Sequence, residues 1–261
     1  MGEKINMYYI GNAVTDIGNV KTVNQDSLTL KIANTDMGLV VFSVICDGLG
    51  GLEQGEVASA SVIRAFEQWF LEIFPYASEP WTREGIEESW RRLLASINQE
   101  ICEYGREGNV EIGTTVTAVL FLENKYYVLH VGDCRLYEIE DQVKKITRDQ
   151  TVVEREVEAG NLTAEQAKTD SRRNVLLQRV GLSENVFPDF IEGDIKQECS
   201  YLICSDGFRH EVTEEELKTY AAPVANHTPE EIKQNLAYLV ELNKKRGERD
   251  NISAILVRTR K

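Results

Sequence analysis

The sequence has no run of apolar residues close to the ~18 that a membrane-spanning helix requires. Its first residues, MGEKINMYYIG, lack the apolar stretch of a secretory signal peptide. Asn6 stands where an N-myristoylation motif needs Ser or Thr. These absences exclude the common routes to a membrane, and they predict a cytoplasmic protein with no membrane partner.

Cysteine and histidine, the usual protein ligands of zinc, are also scarce. The three histidines lack the spacing found in zinc peptidases, and no Cys-x-x-Cys pair suggests a zinc ribbon. The cysteines are odd in number and scattered, which predicts free thiols in a reducing compartment such as the cytosol. They are Cys46, Cys102, Cys134, Cys199 and Cys204.

Positive charge is in the minority, with 29 Lys and Arg against 43 Asp and Glu and a formal net charge of −14. Nucleic acids and anionic membranes attract basic surfaces, so neither is expected as a partner. The acidic excess is most simply a source of solubility. It also supplies many carboxylates from which a cation site can be built.

Linkers rich in Pro or Gly, internal repeats and low-complexity segments are absent as well, so residues 1–261 are interpreted as one domain. Strand-like segments fill residues 7–47, two amphipathic helices follow over 57–73 and 82–101, and short strands return over 114–148. A polar, broken segment covers about 150–178. Strand character then resumes over 199–207, followed by helices over 214–220 and 229–244 and a last strand over 251–259. Strands grouped apart from helices predict an α+β fold.

Aspartates stand at the ends of the most apolar segments. Asp47 in VICDGLGG, Asp133 in LHVGDC and Asp206 in YLICSDGF follow apolar runs, Asp250 in RDNISAILV precedes one, and Asp26 in NQDSLTL begins a strand. Any one of them could serve an ordinary turn, since Asp and Gly both favour turns. If the strand ends converge, the carboxylates repel one another unless they are protonated or bind cations. Oxygen ligands without His or Cys select hard ions such as Mg²⁺ or Mn²⁺.

Other phosphate and hydrolase chemistries lack their motifs. Neither G-x-x-x-x-G-K-[ST] nor G-x-S-x-G occurs, and GLGGLEQG does not match G-x-G-x-x-G. A cysteine phosphatase needs Cys-x₅-Arg, but only four residues separate Cys204 from Arg209, and Asp206 lies between them. A covalent cysteine mechanism is therefore excluded.

Eight segments, in order, resemble the metal-dependent Ser/Thr protein phosphatases of the PPM (type 2C) family, and especially its bacterial members. They are TDIGNVKTVNQDS, CDGLGG, GTTVTAVLF, HVGDCRLY, ITRDQT, LLQRVG, ICSDGF and RDNISAILV. Each is weak alone, but their order over nearly the whole chain is specific. The resemblance implies a β-sandwich of two antiparallel sheets flanked by helices.

The resemblance also implies a centre of two Mn²⁺ or Mg²⁺ ions, with a third, weaker site. Asp47 would bridge both ions and Gly48 would offer its carbonyl, while Gly50 and Gly51 keep the approach clear. Asp26 and Asn251 would support this centre from behind. Residues from about 150 to 173 would form a flap beside the active site. The implied metal ligands are Asp47, Gly48, Asp133, Asp206 and Asp250.

The chemistry implied is hydrolysis of phosphoserine and phosphothreonine in proteins. A water bridging two ions loses its proton near neutral pH and attacks phosphorus directly, with Asp47, Asp206 and Asp250 holding the ions. The expected partners are phosphorylated proteins and a Ser/Thr kinase whose action the enzyme opposes. A monomer is expected.

Four positions depart from the family pattern. Lys21 replaces the Arg that grips phosphate, which keeps the charge but loses the bidentate fork. Gln25 replaces a Glu, Leu49 replaces a His or Met, and Cys134 replaces a Ser. The Lys21 and Gln25 replacements leave open an alternative, a catalytically weak or inactive module of the same fold that binds phosphoproteins. A nearer alternative is an enzyme dedicated to one regulatory phosphoprotein.

Overall fold

The computed structural model describes residues 7–49 and 54–260. Gly50 and Gly51, which the sequence analysis assigned to an open approach, lie outside the described residues. In the described part of the chain, the strands are β1 (Tyr8–Asp16), β2 (Asp26–Thr35), β3 (Gly38–Asp47), β4 (Val116–Leu122), β5 (Lys125–Val131), β6 (Arg135–Ile139), β7 (Val143–Lys145), β8 (Asp189–Asp194), β9 (Ser200–Cys204) and β10 (Ile252–Arg260).

Two five-stranded antiparallel sheets form the centre of the fold. One has the strand order β1-β10-β9-β6-β7 and the other has the order β2-β3-β4-β5-β8. The predicted sandwich of two antiparallel sheets is therefore confirmed. Strand β8 was not predicted, because its sequence, DFIEGD, is acidic and only half-buried at a sheet edge.

The described residues also form seven α-helices. They are α1 (Gly55–Gln68), α2 (Arg83–Gly108), α3 (Val152–Glu158), α4 (Ala164–Thr169), α5 (Asp206–Arg209), α6 (Glu214–Tyr220) and α7 (Pro229–Arg246). Helices α1 and α2 pack on the second sheet, and α6 and α7 pack on the first. No helix in the described residues is long and apolar enough to cross a membrane.

The helix boundaries follow recognisable capping signals. Thr82 caps α2 as predicted, because its hydroxyl accepts a 3.1 Å hydrogen bond from the Gly85 amide. Gly247 ends α7 in the left-handed conformation, with φ of 92°. The predicted helix over 57–73 differs in its last turn, because Trp69–Ile73 is π-helical. Trp69 and Phe70 in that turn join a buried cluster of aromatic rings with Phe42, so tertiary packing sets the local geometry.

Strand β3 explains how the core is divided. Val40, Phe42 and Val44 face the helices α1 and α2, whereas Val41 and Ile45 face the other sheet. Because β3 is covered on both faces, its sequence is a nearly continuous apolar run rather than an alternating one. This covered strand ends at Asp47, and so it delivers a carboxylate to the end of the sandwich.

Candidate active site

The five aspartates singled out in the sequence lie at the same end of the sandwich. Asp26 at the start of β2 pairs directly with Asp47 at the end of β3. In the other sheet, Asp250 lies just before β10, and Asp206 lies just after its neighbour β9. Asp133 occupies the turn that carries the chain from β5 to β6. The antiparallel pairing therefore gathers residues that are far apart in sequence.

The carboxylates are close enough to change one another's pKa values. Burial raises the pKa of Asp47 well above its usual value, and the neighbouring charges of Asp26, Asp206, Asp133 and Asp250 raise it further. Burial and the charge of Asp206 also raise the pKa of Asp26 to about 7 and that of Asp133 to about 7. Such repulsion is costly in a protein unless a cation offsets it.

Three buried carboxylate oxygens at this site have no hydrogen-bond partner: both oxygens of Asp26 and Oδ1 of Asp206. The Ser253 and Ser205 hydroxyls are near enough to lower the pKa of Asp26. However, the Ser253 hydroxyl donates to Thr15 and the Ser205 hydroxyl donates to a backbone carbonyl. Buried anionic oxygens without donors fit the binding of hard cations.

Two basic side chains contact the outer carboxylates. Lys21 Nζ lies 2.7 Å from Asp250 Oδ1, and Arg209 lies 3.6 Å from Asp133 Oδ2. No three His, Cys, Asp or Glu side chains among residues 7–49 and 54–260 converge closely enough to hold a metal ion as they stand. The carboxylates thus surround a shared region without meeting at one point, as expected of like charges. Their number, burial and unpartnered oxygens fit a divalent-ion centre.

Gly48, whose carbonyl was predicted to be a ligand, sits where three segments meet. Its amide donates to the Gln25 carbonyl at 3.1 Å, and a Cβ atom here would lie 2.5 Å from the carbonyl oxygens of both Gln25 and Gly55. No side chain fits that space without a backbone shift. The glycine therefore allows the backbone to approach closely beside Asp47.

The replacement of Glu by Gln at position 25 has a local partner. Gln25 Nε2 donates to Glu56 Oε2 at 3.3 Å, and Gln25 is buried. A glutamate at position 25 would place two carboxylates within that distance. The amide removes this repulsion, and it also removes one negative charge from the edge of the site.

Asn251 fastens the loop that carries Lys21. Its Oδ1 accepts from the Gln25 amide at 2.9 Å, and its Nδ2 donates to the carbonyls of Ile17 and Val23 at 3.0 and 3.2 Å. Its own amide donates to Asp250 Oδ1 at 2.8 Å. Asn251 thus holds both Asp250 and the Lys21 loop, which agrees with a supporting position behind the site.

Two basic residues at the site, Arg209 and His210, were not predicted from the sequence. Arg209 was considered only as part of a cysteine phosphatase loop, and His210 was set aside with the other histidines. His210 lies 3.7 Å from Asp206 Oδ2 and 3.2 Å from Glu248 Oε2. Burial alone would lower its pKa, but the bond to Glu248 and the charge of Asp206 raise it overall. Their spacing in the sequence could have predicted them. They follow Asp206 by three and four residues, and residues at that spacing lie on the same face of a helix.

The segment predicted as a flap contains α3 and α4, and its start is attached beside Asp133. The Gln150 amide donates to the Gly132 carbonyl at 2.8 Å, and the Gly132 amide donates to Gln150 Oε1 at 3.0 Å. Helix α4 has no buried residue. The segment thus borders the acidic site at its base, while its far part lies in solvent.

Comparisons with known proteins agree with this geometry. The family model "Protein phosphatase 2C" matches residues 18–241. The serine/threonine phosphatase stp of Listeria monocytogenes is 28% identical over 247 residues, covering 93% of each chain. Among solved structures, serine/threonine phosphatase Stp1 from Staphylococcus aureus superimposes with a TM-score of 0.83 at 26% identity, covering 99% of this chain and 98% of that one. The catalytic domain of phosphatase PstP, in complex with two manganese ions, has a TM-score of 0.77 at 27% identity, covering 98% of this chain and 100% of that one.

Proposed function

Because the chain belongs to the protein phosphatase 2C family, we propose that it removes phosphate from phosphoserine and phosphothreonine in proteins, using two Mn²⁺ or Mg²⁺ ions and a third, weaker one. The observation that carries this proposal is the set of five aspartates gathered at one end of the sandwich. Asp47, Asp206 and Asp250 would hold the two ions with the Gly48 carbonyl. Asp133 and Asp206 would hold the third.

When bound, the ions supply a centre that lowers the pKa of a water molecule and offsets the negative charge of the phosphoryl group. The chain's own residues bind and orient the substrate. Lys21, held on its loop by Asn251, lies beside Asp250 and supplies the positive charge for a phosphate oxygen. The side chain of Leu49 has no ionisable group, so it cannot act as a general acid and protonate the leaving oxygen.

The expected partners follow from this activity: phosphorylated proteins, and a Ser/Thr kinase whose action the enzyme reverses. We propose that it acts as a monomer. We also propose a cytoplasmic location, since all five cysteines are free and four of them are buried. Free thiols suit a reducing compartment.

The test is hydrolysis of a phosphothreonine peptide by the purified chain with Mn²⁺. We expect release of phosphate that stops on addition of EDTA and is lost in Asp206→Asn. Activity that persists both in EDTA and in Asp206→Asn would overturn the proposal.

The ion pair between Lys21 and Asp250 favours one alternative, a module that binds phosphoproteins without turnover. A lysine that stays on Asp250 would compete with an ion there. The same assay separates the two functions, because a binding module would retain the phosphopeptide in a pull-down and release no phosphate.

Lys21 itself should control the affinity for phosphate. We expect Lys21→Ala to raise KM for the phosphopeptide by roughly tenfold, since a charge-assisted hydrogen bond contributes about 1.5 kcal/mol or more. Lys21→Arg should lower KM below that of the natural chain, because the guanidinium fork binds two phosphate oxygens.

Steady-state kinetics on the phosphopeptide measure both effects. The control is Lys31→Ala, because Lys31 lies on β2 and pairs with Glu67 of α1. An equal KM in Lys21→Ala and in the natural chain would contradict the assignment.

A further inference from the structure

A short segment, residues 175–180, lies next to the acidic site and belongs to none of the regular strands. Val180 pairs with Thr114 through two 3.0 Å hydrogen bonds, and Thr114 also pairs with Gly48. Both bridges are antiparallel, so Thr115, the residue after Thr114, lies opposite Arg179 on one side and opposite Asp47 on the other. These three residues form one row across the neighbouring segments. Side chains opposite one another in such a row point to the same face. Arg179 therefore projects from the face that carries Asp47.

The backbone on both sides of Arg179 is firmly held. The side chain of Gln178 donates to Gln150 Oε1 at 2.9 Å and to the Phe187 carbonyl at 2.7 Å, and it accepts from the Phe187 amide at 2.9 Å. Val180 is fully buried. The residues on both sides of Arg179 are therefore fixed to the rest of the fold by hydrogen bonds and burial, whereas its guanidinium is not.

The guanidinium of Arg179 makes no hydrogen bond or ion pair with any residue in 7–49 or 54–260, although Arg179 is half-buried. Other half-buried arginines are paired, as in the bidentate contact of Arg135 with Asp149. A guanidinium keeps its charge at any physiological pH. In a chain with a net charge of −14, an unpaired one beside the active site is suited to an anion that comes from outside.

The position of Arg179 indicates which anion. Lys21 contacts Asp250, which precedes β10 of one sheet, whereas Arg179 lies beside the edge of the other sheet, two strand positions from Asp47 and next to the base of the flap. Two strand spacings amount to about 10 Å, and an extended peptide advances ~3.3 Å per residue. Arg179 is thus about three residues along a bound peptide from a phosphoresidue at the aspartates.

We propose that Arg179 determines substrate specificity by binding an acidic side chain of the phosphoprotein, two to four residues from the phosphorylated Ser or Thr. This inference rests on the proposed phosphatase function. Val175 and Leu177, which are 45% and 42% exposed, continue the segment away from the site. They offer an apolar surface to substrate residues beyond the acidic one.

The experiment compares kcat/KM for a set of phosphothreonine peptides. The reference peptide has only alanine within four positions of the phosphothreonine, and each test peptide carries one Asp at one of those eight positions. For the natural chain we expect one position, two to four residues away, at which Asp raises kcat/KM about tenfold. In Arg179→Ala the ratio of that Asp peptide to the alanine peptide should fall to about one.

Two further variants make the result decisive. Arg179→Glu should reverse the preference, so that Lys at the same position is favoured over Asp. Arg106→Ala is the matched control, because Arg106 is exposed on α2 and its guanidinium has no hydrogen bond or ion pair in the described residues. It should leave the ratio unchanged.

The possible failures are distinguishable. If the natural chain hydrolyses neither the alanine peptide nor p-nitrophenyl phosphate with Mn²⁺, the proposed function fails. If both are hydrolysed but the Asp ratio is the same in the natural chain and in Arg179→Ala, the inference is overturned. It is also overturned if Arg179→Ala lowers kcat/KM for the Asp and alanine peptides by one common factor. Melting temperatures identify any variant that has not folded.

Discussion

Asp47→Asn should abolish phosphatase activity and at the same time stabilise the metal-free protein. Asn keeps the size and shape of Asp but removes the charge needed to bridge two cations. A loss of at least ~1,000-fold in kcat is expected, which corresponds to about 4 kcal/mol of transition-state stabilisation. Without ions, the same change relieves the repulsion that Asp47 shares with Asp26, Asp206, Asp133 and Asp250.

The measurement pairs phosphopeptide hydrolysis in Mn²⁺ with thermal unfolding in EDTA. Asp36→Asn is the matched control, since Asp36 is exposed in the turn between β2 and β3 and has no partner in the described residues. It should change neither quantity. A lower melting temperature for Asp47→Asn than for the natural chain in EDTA would contradict the conclusion that repulsion among the buried carboxylates destabilises the metal-free protein.

The metal-free protein should lose stability as the pH rises from 5 to 8, and Mn²⁺ should restore it. Asp26 and Asp133 have folded-state pKa values of about 7, well above the 3.8 of an unfolded chain. A carboxyl group with a raised pKa contributes stability below pH 4 that is lost as the pH rises to 7. Two such groups and Asp47 together should lower the melting temperature by roughly 10 °C.

Other titrating groups do not reverse this direction. Burial raises the pKa of Asp149, but its bonds to Arg135 lower it overall to about 2, so the stability it contributes is lost only below pH 4. His210, whose pKa is raised overall by Glu248, adds to the decline as it loses its proton. Burial lowers the pKa of His130, so His130 makes the folded protein more stable as the pH rises. This single group is outweighed by the raised pKa values of Asp26, Asp133 and Asp47.

Calorimetry or fluorescence thermal scans at pH 5, 6, 7 and 8, with EDTA or with Mn²⁺, test the prediction. Mn²⁺ should raise the melting temperature more at pH 8 than at pH 6, because cation binding requires deprotonated carboxylates. Equal Mn²⁺ shifts at both pH values would contradict it.

Strand ends marked by aspartate were enough to predict the acidic site, because an apolar strand covered on both faces must end where the sandwich ends. Asp47 and Asp206 show this most clearly. The edge strand β8 escaped prediction, since a half-buried edge tolerates acidic residues and loses the apolar signal. The position of Arg179 could not be predicted either, because it depends on the bridge between Thr114 and Val180, and nothing local to either residue specifies that bridge.

The bond between Gln25 and Asn251 joins positions that are 226 residues apart. Strands β2 and β3 therefore leave the ribosome, with Asp26 and Asp47, long before Asp250 is translated. A nascent chain that still lacks β10 cannot fix the Lys21 loop or complete the acidic site. The acidic site can therefore be complete only after β10 has been made and has inserted between β1 and β9, and chains that lack β10 should have no phosphatase activity.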